Sequence, residues 1–179
     1  MKVLIACEFS GVVRDAFTAR GHDAWSCDLL PSETAGNHIQ GDVRLVLDRG
    51  WDLMIAHPPC TALCRSGDRW YCASPRRAEA ITFVQELDAA PIPHIAIENP
   101  RGLNRFWRAA DQVVQPWMFG AGETKATCLW LRGLPPLLAT LISSGRTPRV
   151  HCQAPGPERW KARSRTLPGL ARAMAEQWG

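Results

Sequence analysis

Trp51–Thr61 reads WDLMIAHPPCT, and this stretch decides the fold. Leu53 to Ala56 is a short apolar run that reads as a buried strand. It stops at Pro58-Pro59, and the next residue is Cys60. The prolines stiffen the loop and remove backbone donors, so the thiol stands on a rigid shelf. Open α/β sheets bind ligands just beyond the C-terminal ends of their strands, which is where Cys60 falls. The commonest fate of a free cysteine is a small buried hydrophobe, and Cys60 alone does not separate the two readings.

Outward from this strand, apolar runs and helical patterns alternate. Lys2 to Cys7 is β-prone, and Gly11 to Arg20 carries apolar residues at helical spacing, stopped by Gly21. His22 to Cys27 is a second strand closed by Asp28, and Leu29 to Gly36 a loop. Asn37 to Gln40 is a short third strand, and Val43 to Arg49 is expected to be helical. Thr61 to Ala73 shows no period and is expected to be a mobile loop. Ser74-Pro75 opens a helix to about Ala90, since serine caps well and proline suits the first turn. Ile92 to Ile97 is a fifth strand ending at Glu98-Asn99-Pro100. Asp111 to Pro116 and Thr127 to Leu131 are candidate strands, with Trp130 in the core and Trp107 and Trp117 as packing residues. Gly133 to Pro157 is rich in proline and glycine and reads as loop. Leu167 to Trp178 is an amphipathic terminal helix. The alternation predicts an α/β fold: one domain over 1–179, a mainly parallel sheet, and helices on both faces.

Composition sets the bounds. Of 179 residues, 46% are hydrophobic and 21% charged, as in an ordinary globular chain. No apolar run is long enough to span a bilayer, so no membrane partner is expected. Glu8 interrupts the N-terminal apolar run and no cleavage site follows, which argues for a cytoplasmic protein. The 7 cysteines are an odd, scattered set, not a secreted disulfide framework. Cys60, Cys64 and Cys72 lie near His57, but no tight C-x2-C pair exists, so no metal is expected. A zinc nucleobase deaminase would need H-x-E before P-C-x-x-C, and neither is present. The net charge of +4 fits a polyanionic partner without requiring one. Arg159, Lys161, Arg163, Arg165 and Arg172 cluster around Trp160, a mixture that suits phosphates and a base or simply a solvated surface.

Reactive and polar residues stand at the ends of the predicted strands: Glu8-Phe9-Ser10-Gly11, Asp28, Asp42, Pro59-Cys60 and Glu98-Asn99. Carboxylates after the second and third strands suit a ribose diol and an amino group, because an ionised carboxylate only accepts hydrogen bonds. Asp28 and Asp42 also suit plain turns and caps. Gly11 permits close backbone approach. The G-x-G-x-x-G dinucleotide fingerprint is missing after the first strand.

The order of these motifs resembles the cytosine-5 DNA methyltransferase family. Phe9-Ser10-Gly11 is similar to its F-x-G cofactor turn, Gly41-Asp42-Val43 to its G-D-[IV] adenine contact, and Asp28 to its ribose-binding acid. Pro59-Cys60 resembles its proline–cysteine nucleophile, Glu98-Asn99 its E-N pair, and the helix from Thr166 its returning last motif. The resemblance implies a Rossmann-like methyltransferase fold and S-adenosyl-L-methionine as cofactor. Its site would have Glu8, Phe9, Ser10, Gly11, Asp28, Asp42 and Pro58 on the cofactor. Cys60, Glu98, Asn99 and Arg165 would act in catalysis, and Pro59, Thr61, Arg65, Arg69, Lys125 and Arg163 would contact the substrate. The implied substrate is cytosine in single- or double-stranded DNA, with RNA or a free cytosine nucleotide as the alternative. A non-catalytic binding subunit is a further alternative.

The implied chemistry is covalent. A Cys60 thiolate, activated by Arg65, Arg69 or a tail arginine, would add to carbon 6. A protonated Glu98 would donate to N3. Lys125 and Thr127 would face a phosphate. Departures from the family pattern are Thr61 for glutamine, Pro100 for valine and Val13 for the second glycine. The nearest match to its Q-x-R-x-R motif is Arg163-Ser164-Arg165, which comes late. Residues 133–160 form only a reduced, loop-rich region where the family has a large target-recognition segment. Recognition is then brief, or a partner chain supplies it.

Overall fold

The apolar runs assemble into a seven-stranded sheet of order β3-β2-β1-β4-β5-β7-β6 in a computed structural model that describes residues 1–150 and 152–179. The strands are β1 (Lys2–Ala6), β2 (Asp23–Asp28), β3 (His38–Gln40), β4 (Leu53–Ala56), β5 (His94–Pro100), β6 (Gln112–Val114) and β7 (Thr127–Arg132). The first five run parallel. β7 lies antiparallel between β5 and β6. The helices are α1 (Val12–Thr18), α2 (Asp68–Tyr71), α3 (Pro75–Asp88), α4 (Arg159–Ser164) and α5 (Pro168–Trp178). No helix among the described residues is long and apolar enough to cross a membrane.

Strand side chains alternate between faces, and this sorts the core into two layers. Val3, Ile5, Leu53, Ile55, Ala96 and Leu129 pack with Val13 and Phe17 of α1 and Leu170, Met174 and Trp178 of α5. Leu4, Ala6, Met54, Ala56, Ile95, Ile97 and Trp130 pack on the other face with Val84 and Leu87 of α3. Ser74 caps α3 as its sequence predicts, its hydroxyl accepting from Arg76 N at 3.3 Å.

The structure departs from the sequence reading in several places. Val43–Val46 is a 3-10 turn and not a helix to Arg49; Asp42 caps it and Trp51 Nε1 donates to Val46 O at 2.7 Å. The 61–73 segment holds a 3-10 turn and α2. Asp68 there accepts from Arg77 at 2.8 Å and Arg105 at 2.5 Å, and Phe106 lies under both guanidinium groups. β5 continues through Glu98-Asn99-Pro100, because β7 pairs with it there. β4 pairs with β5 only as far as Ala56 and Ile97, so Pro100 lies past the β4 side, where a missing donor is tolerated. The basic cluster around Trp160, given no element from sequence, forms α4, and Leu137 of the 133–160 region is buried in the α1–α5 layer.

Candidate active site

The parallel strands deliver their C-terminal ends to one edge, and the turns leaving them build the site. Cys7, just past β1, has φ 59°, the only positive φ among the described non-glycine residues. Glu8 follows and is buried. Its carboxylate accepts from Val13 N at 2.7 Å, Arg14 N at 3.2 Å and Ser10 Oγ at 3.2 Å, and so holds the entry to α1. Gly11 has φ 74°, and a Cβ there would lie 2.2 Å from Thr34 Oγ1. The glycine is required by the 29–36 loop folding back over the turn.

Arg14 holds that loop in place. It is fully buried, donating to Ser26 and Ser32 hydroxyls, to Thr34 Oγ1 at 2.6 Å and to Ala35 O at 3.0 Å. Asp28 Oδ1 accepts from Leu30 N at 2.9 Å, and Asp42 Oδ1 from Arg44 N at 3.0 Å. Both acids therefore shape their own turns, the structural role that the sequence also allowed. Burial lifts the Asp28 carboxyl above its ordinary range, partly offset by the Leu30 amide and His38. Burial, with Asp28 and Asp42 facing it, also pushes the Cys7 thiol up.

A cavity lies over this turn, lined by Cys7–Ser10, His57 and Ser164–Thr166. Its cover is the tail. Trp160 of α4 packs on Phe9, with ring centres 6.0 Å apart. Arg165 grips Glu33 through two hydrogen bonds of 2.9 and 2.6 Å, and this holds the Glu33 carboxyl below its usual range.

The second half of the site joins β4, β5 and β7. Alternation from Ile55 puts His57 on the α1–α5 face, and alternation from Ala96 puts Glu98 on the same face. Their side chains meet, His57 Nδ1 to Glu98 Oε2, at 3.2 Å. Asn99 points the other way and donates to Pro58 O at 2.9 Å, tying the strand tip to the proline shelf. Glu98 also lines a second small cavity with Lys125, Thr127, Thr166 and Leu167. Lys125 Nζ is anchored by Arg163 O at 3.0 Å.

Two protonation states differ from those expected. Burial alone would raise Glu98, but the His57 hydrogen bond and the Lys125 charge outweigh it and hold Glu98 below its ordinary range. Without a bound base, this environment favours the Glu98 carboxylate. Burial, then Cys64 and Glu98, push the half-buried Cys60 thiol up to about 11, against the lowering pull of Lys125. Lys125 is the cation whose charge acts on Cys60 here. Arg69 stacks on the exposed Trp70, and Arg165 belongs to the Glu33 clasp over the other cavity. Lys125 lines the same cavity as Glu98, and its charge lowers the Glu98 carboxyl. Thr61, Pro59 and Arg65 are exposed beside the nucleophile loop.

The sequence reading weighed His57 only as a metal ligand and missed its pairing with Glu98. The alternation that placed Ile55 in the core would have predicted its face. Two buried polar atoms lack a partner among the described residues, and both belong to this half: His57 Nε2 and Asn99 Oδ1.

No family model matches the chain, and no curated protein matches it. Among solved structures, the S. pombe Dnmt2 methyltransferase superposes with a TM-score of 0.52 at 15% identity, over 88% of this chain and 57% of that one. A candidate DNA modification methyltransferase from an E. coli prophage shows 16% identity and a TM-score of 0.47, over 80% of this chain and 52% of its own. The chain spans little more than half the length of either structure. The likeness is one of fold, and the fold is the Rossmann-like one of methyltransferases.

Proposed function

We propose that the chain is an S-adenosylmethionine-dependent cytosine-5 methyltransferase acting on nucleic acid, with DNA as the preferred substrate. The observation that carries this reading is that Glu98 and Lys125, whose charges both act on Cys60, line a cavity that shares Thr166 with the one over the Phe9–Gly11 turn. The residues present fit the cofactor. Phe9 offers a ring, Asp28 and Asp42 keep acceptor capacity at the β2 and β3 tips, and His57 Nε2 is a buried acceptor without a donor. When bound, the cofactor supplies an electrophilic methyl group.

The protonation states suit the chemistry. A protonated thiol beside an ionised carboxylate holds the single proton that the first step needs. As Cys60 sulfur bonds to carbon 6 of the base, its proton passes to Glu98 and on to N3. Removing water around the bound base favours this by raising the carboxyl's proton affinity. Carbon 5 becomes a nucleophilic enamine carbon, toward which the cofactor would supply its methyl, the sulfonium–methyl bond breaking to leave a thioether. Loss of the carbon-5 proton to water, return of the N3 proton through Glu98 to sulfur and rupture of the carbon–sulfur bond restore the ring and the thiol. Lys125 steadies Glu98 while the charge moves. In a duplex the target base must leave the stack, at a cost of a few kcal/mol. The exposed Arg69–Trp70 pair beside the nucleophile loop is the surface offered to the strand.

The test is label transfer from tritiated S-adenosylmethionine to duplex DNA, single-stranded DNA, RNA or dCMP. Wild type is expected to label DNA and Cys60→Ala to lose at least about 10⁴-fold in turnover, as nucleophile removal does elsewhere. Preferential labelling of RNA or dCMP would move the substrate. Full activity in Cys60→Ala would end the covalent reading.

A further inference from the structure

His57 stands between the two cavities. Its ring lines the one over the Phe9–Gly11 turn, while its Nδ1 meets Glu98, which lines the other. The side chain is 9% exposed, and its Nε2 is buried with no partner. A buried polar atom left in this way costs free energy unless something pairs with it. The tautomer follows from the neighbour. Glu98 as a carboxylate can only accept, so Nδ1 carries the hydrogen, and in the neutral ring Nε2 is an acceptor. Around this cavity Glu8 is engaged by the α1 entry, Ser10 by Glu8, Ser164 by Lys161 O and Arg165 by Glu33. Nε2 has no donor among the described residues and can accept one from a ligand.

We infer that His57 Nε2 binds the ammonium of the cofactor's amino-acid arm, and that His57 thereby links the cofactor to the pyrimidine-binding carboxylate. This rests on the cofactor reading proposed above. The reactive sulfur must face the base held between Cys60 and Glu98. The adenosine arm then runs toward the acids at the β2 and β3 tips. The amino-acid arm is left against the loops after β1 and β4, where His57 lies. An ammonium is a strong donor, and a charge-assisted hydrogen bond to a buried acceptor is among the stronger ones available.

The test is calorimetric binding of S-adenosylhomocysteine and of 5′-methylthioadenosine, which lacks the amino-acid arm, to the full chain. His57→Phe keeps bulk without donor or acceptor, and His57→Gln keeps one of each. His57→Phe is expected to lose about tenfold or more in affinity for S-adenosylhomocysteine and none for 5′-methylthioadenosine. His57→Gln is expected to regain most of the loss. Equal affinity for S-adenosylhomocysteine in wild type and both variants would overturn the inference while leaving the cofactor reading intact. Equal losses for the two ligands would also overturn it, marking position 57 as packing. Failure of wild type to bind either ligand would remove the cofactor reading, and this inference with it.

Discussion

The two halves of the strand-tip edge are built on opposite rules. At the β1–β2–β3 end, polar side chains are satisfied within the chain: Glu8 by the α1 entry, Asp28 and Asp42 by their own turns, and Arg14 by hydroxyls and carbonyls of the 29–36 loop. At the β4–β5–β7 end, His57 Nε2 and Asn99 Oδ1 have no partner, and a high thiol sits beside an ionised carboxylate. The first end holds a shape. The second keeps polar atoms unpaired among the described residues, at the edge where a ligand would meet them. Loss of Glu8 or Arg14 in the first is therefore expected to appear in stability, and damage to the second in binding and turnover.

The largest stability effect belongs to Arg14. Arg14→Met removes a buried guanidinium and strands several acceptors, which is expected to cost about 3 kcal/mol. Urea unfolding reads this directly, and a loss below about 1 kcal/mol would break the contrast between the halves. Arg165→Ala is the control for scale. Its side chain is 41% exposed and Glu33's 32%, so the pair is worth under about 1 kcal/mol.

The second half is sharpened by pH. With Cys60 held near 11, its alkylation by iodoacetamide is expected to keep rising about tenfold per pH unit from pH 8 to pH 10. A free peptide thiol levels off above about 8.5. Residue-resolved mass spectrometry separates Cys60 from the other cysteines, and a plateau near 8.5 would show that burial and Glu98 do not hold the proton on sulfur. The smallest shift concerns Glu33. Its carboxyl is lowered by Arg165, so the clasp is intact at neutral pH and lost as pH falls through the lowered folded-state value. Any change in melting temperature from Glu33→Gln should therefore fade in acid.

Local signals carried much of this architecture. The β1, β2, β4 and β5 runs, the Ser74-Pro75 start of α3 and the apolar stripe of α5 announce themselves through period and punctuation. Cys60 and Glu98-Asn99 stand at strand ends for the same reason. What stayed hidden depends on residues far apart in the chain. Glu33 meets Arg165 across 132 positions, and His57 meets Glu98 across 41. Arg14 reads in sequence as a polar position of a short helix, and only the returning 29–36 loop buries it. The protonation states of Cys60 and Glu98 depend on Lys125, which β7 brings beside β5 by antiparallel pairing. Proline and glycine marked residues 133–157 as loop-rich, but nothing signalled that α4 would cover the Phe9 turn.

The central claim is that Cys60 forms a bond to a pyrimidine while Glu98 holds it. Fluorine at carbon 5 cannot leave as a proton does, so the final elimination stalls and the bond persists. The most direct measurement is incubation of the full chain with S-adenosylmethionine and a 5-fluorocytosine oligonucleotide, followed by denaturing electrophoresis and peptide mapping. The account predicts a denaturant-stable adduct on Cys60 that needs the cofactor and is absent in Cys60→Ala. An adduct on another cysteine, or none with an oligonucleotide that demonstrably binds, would contradict it.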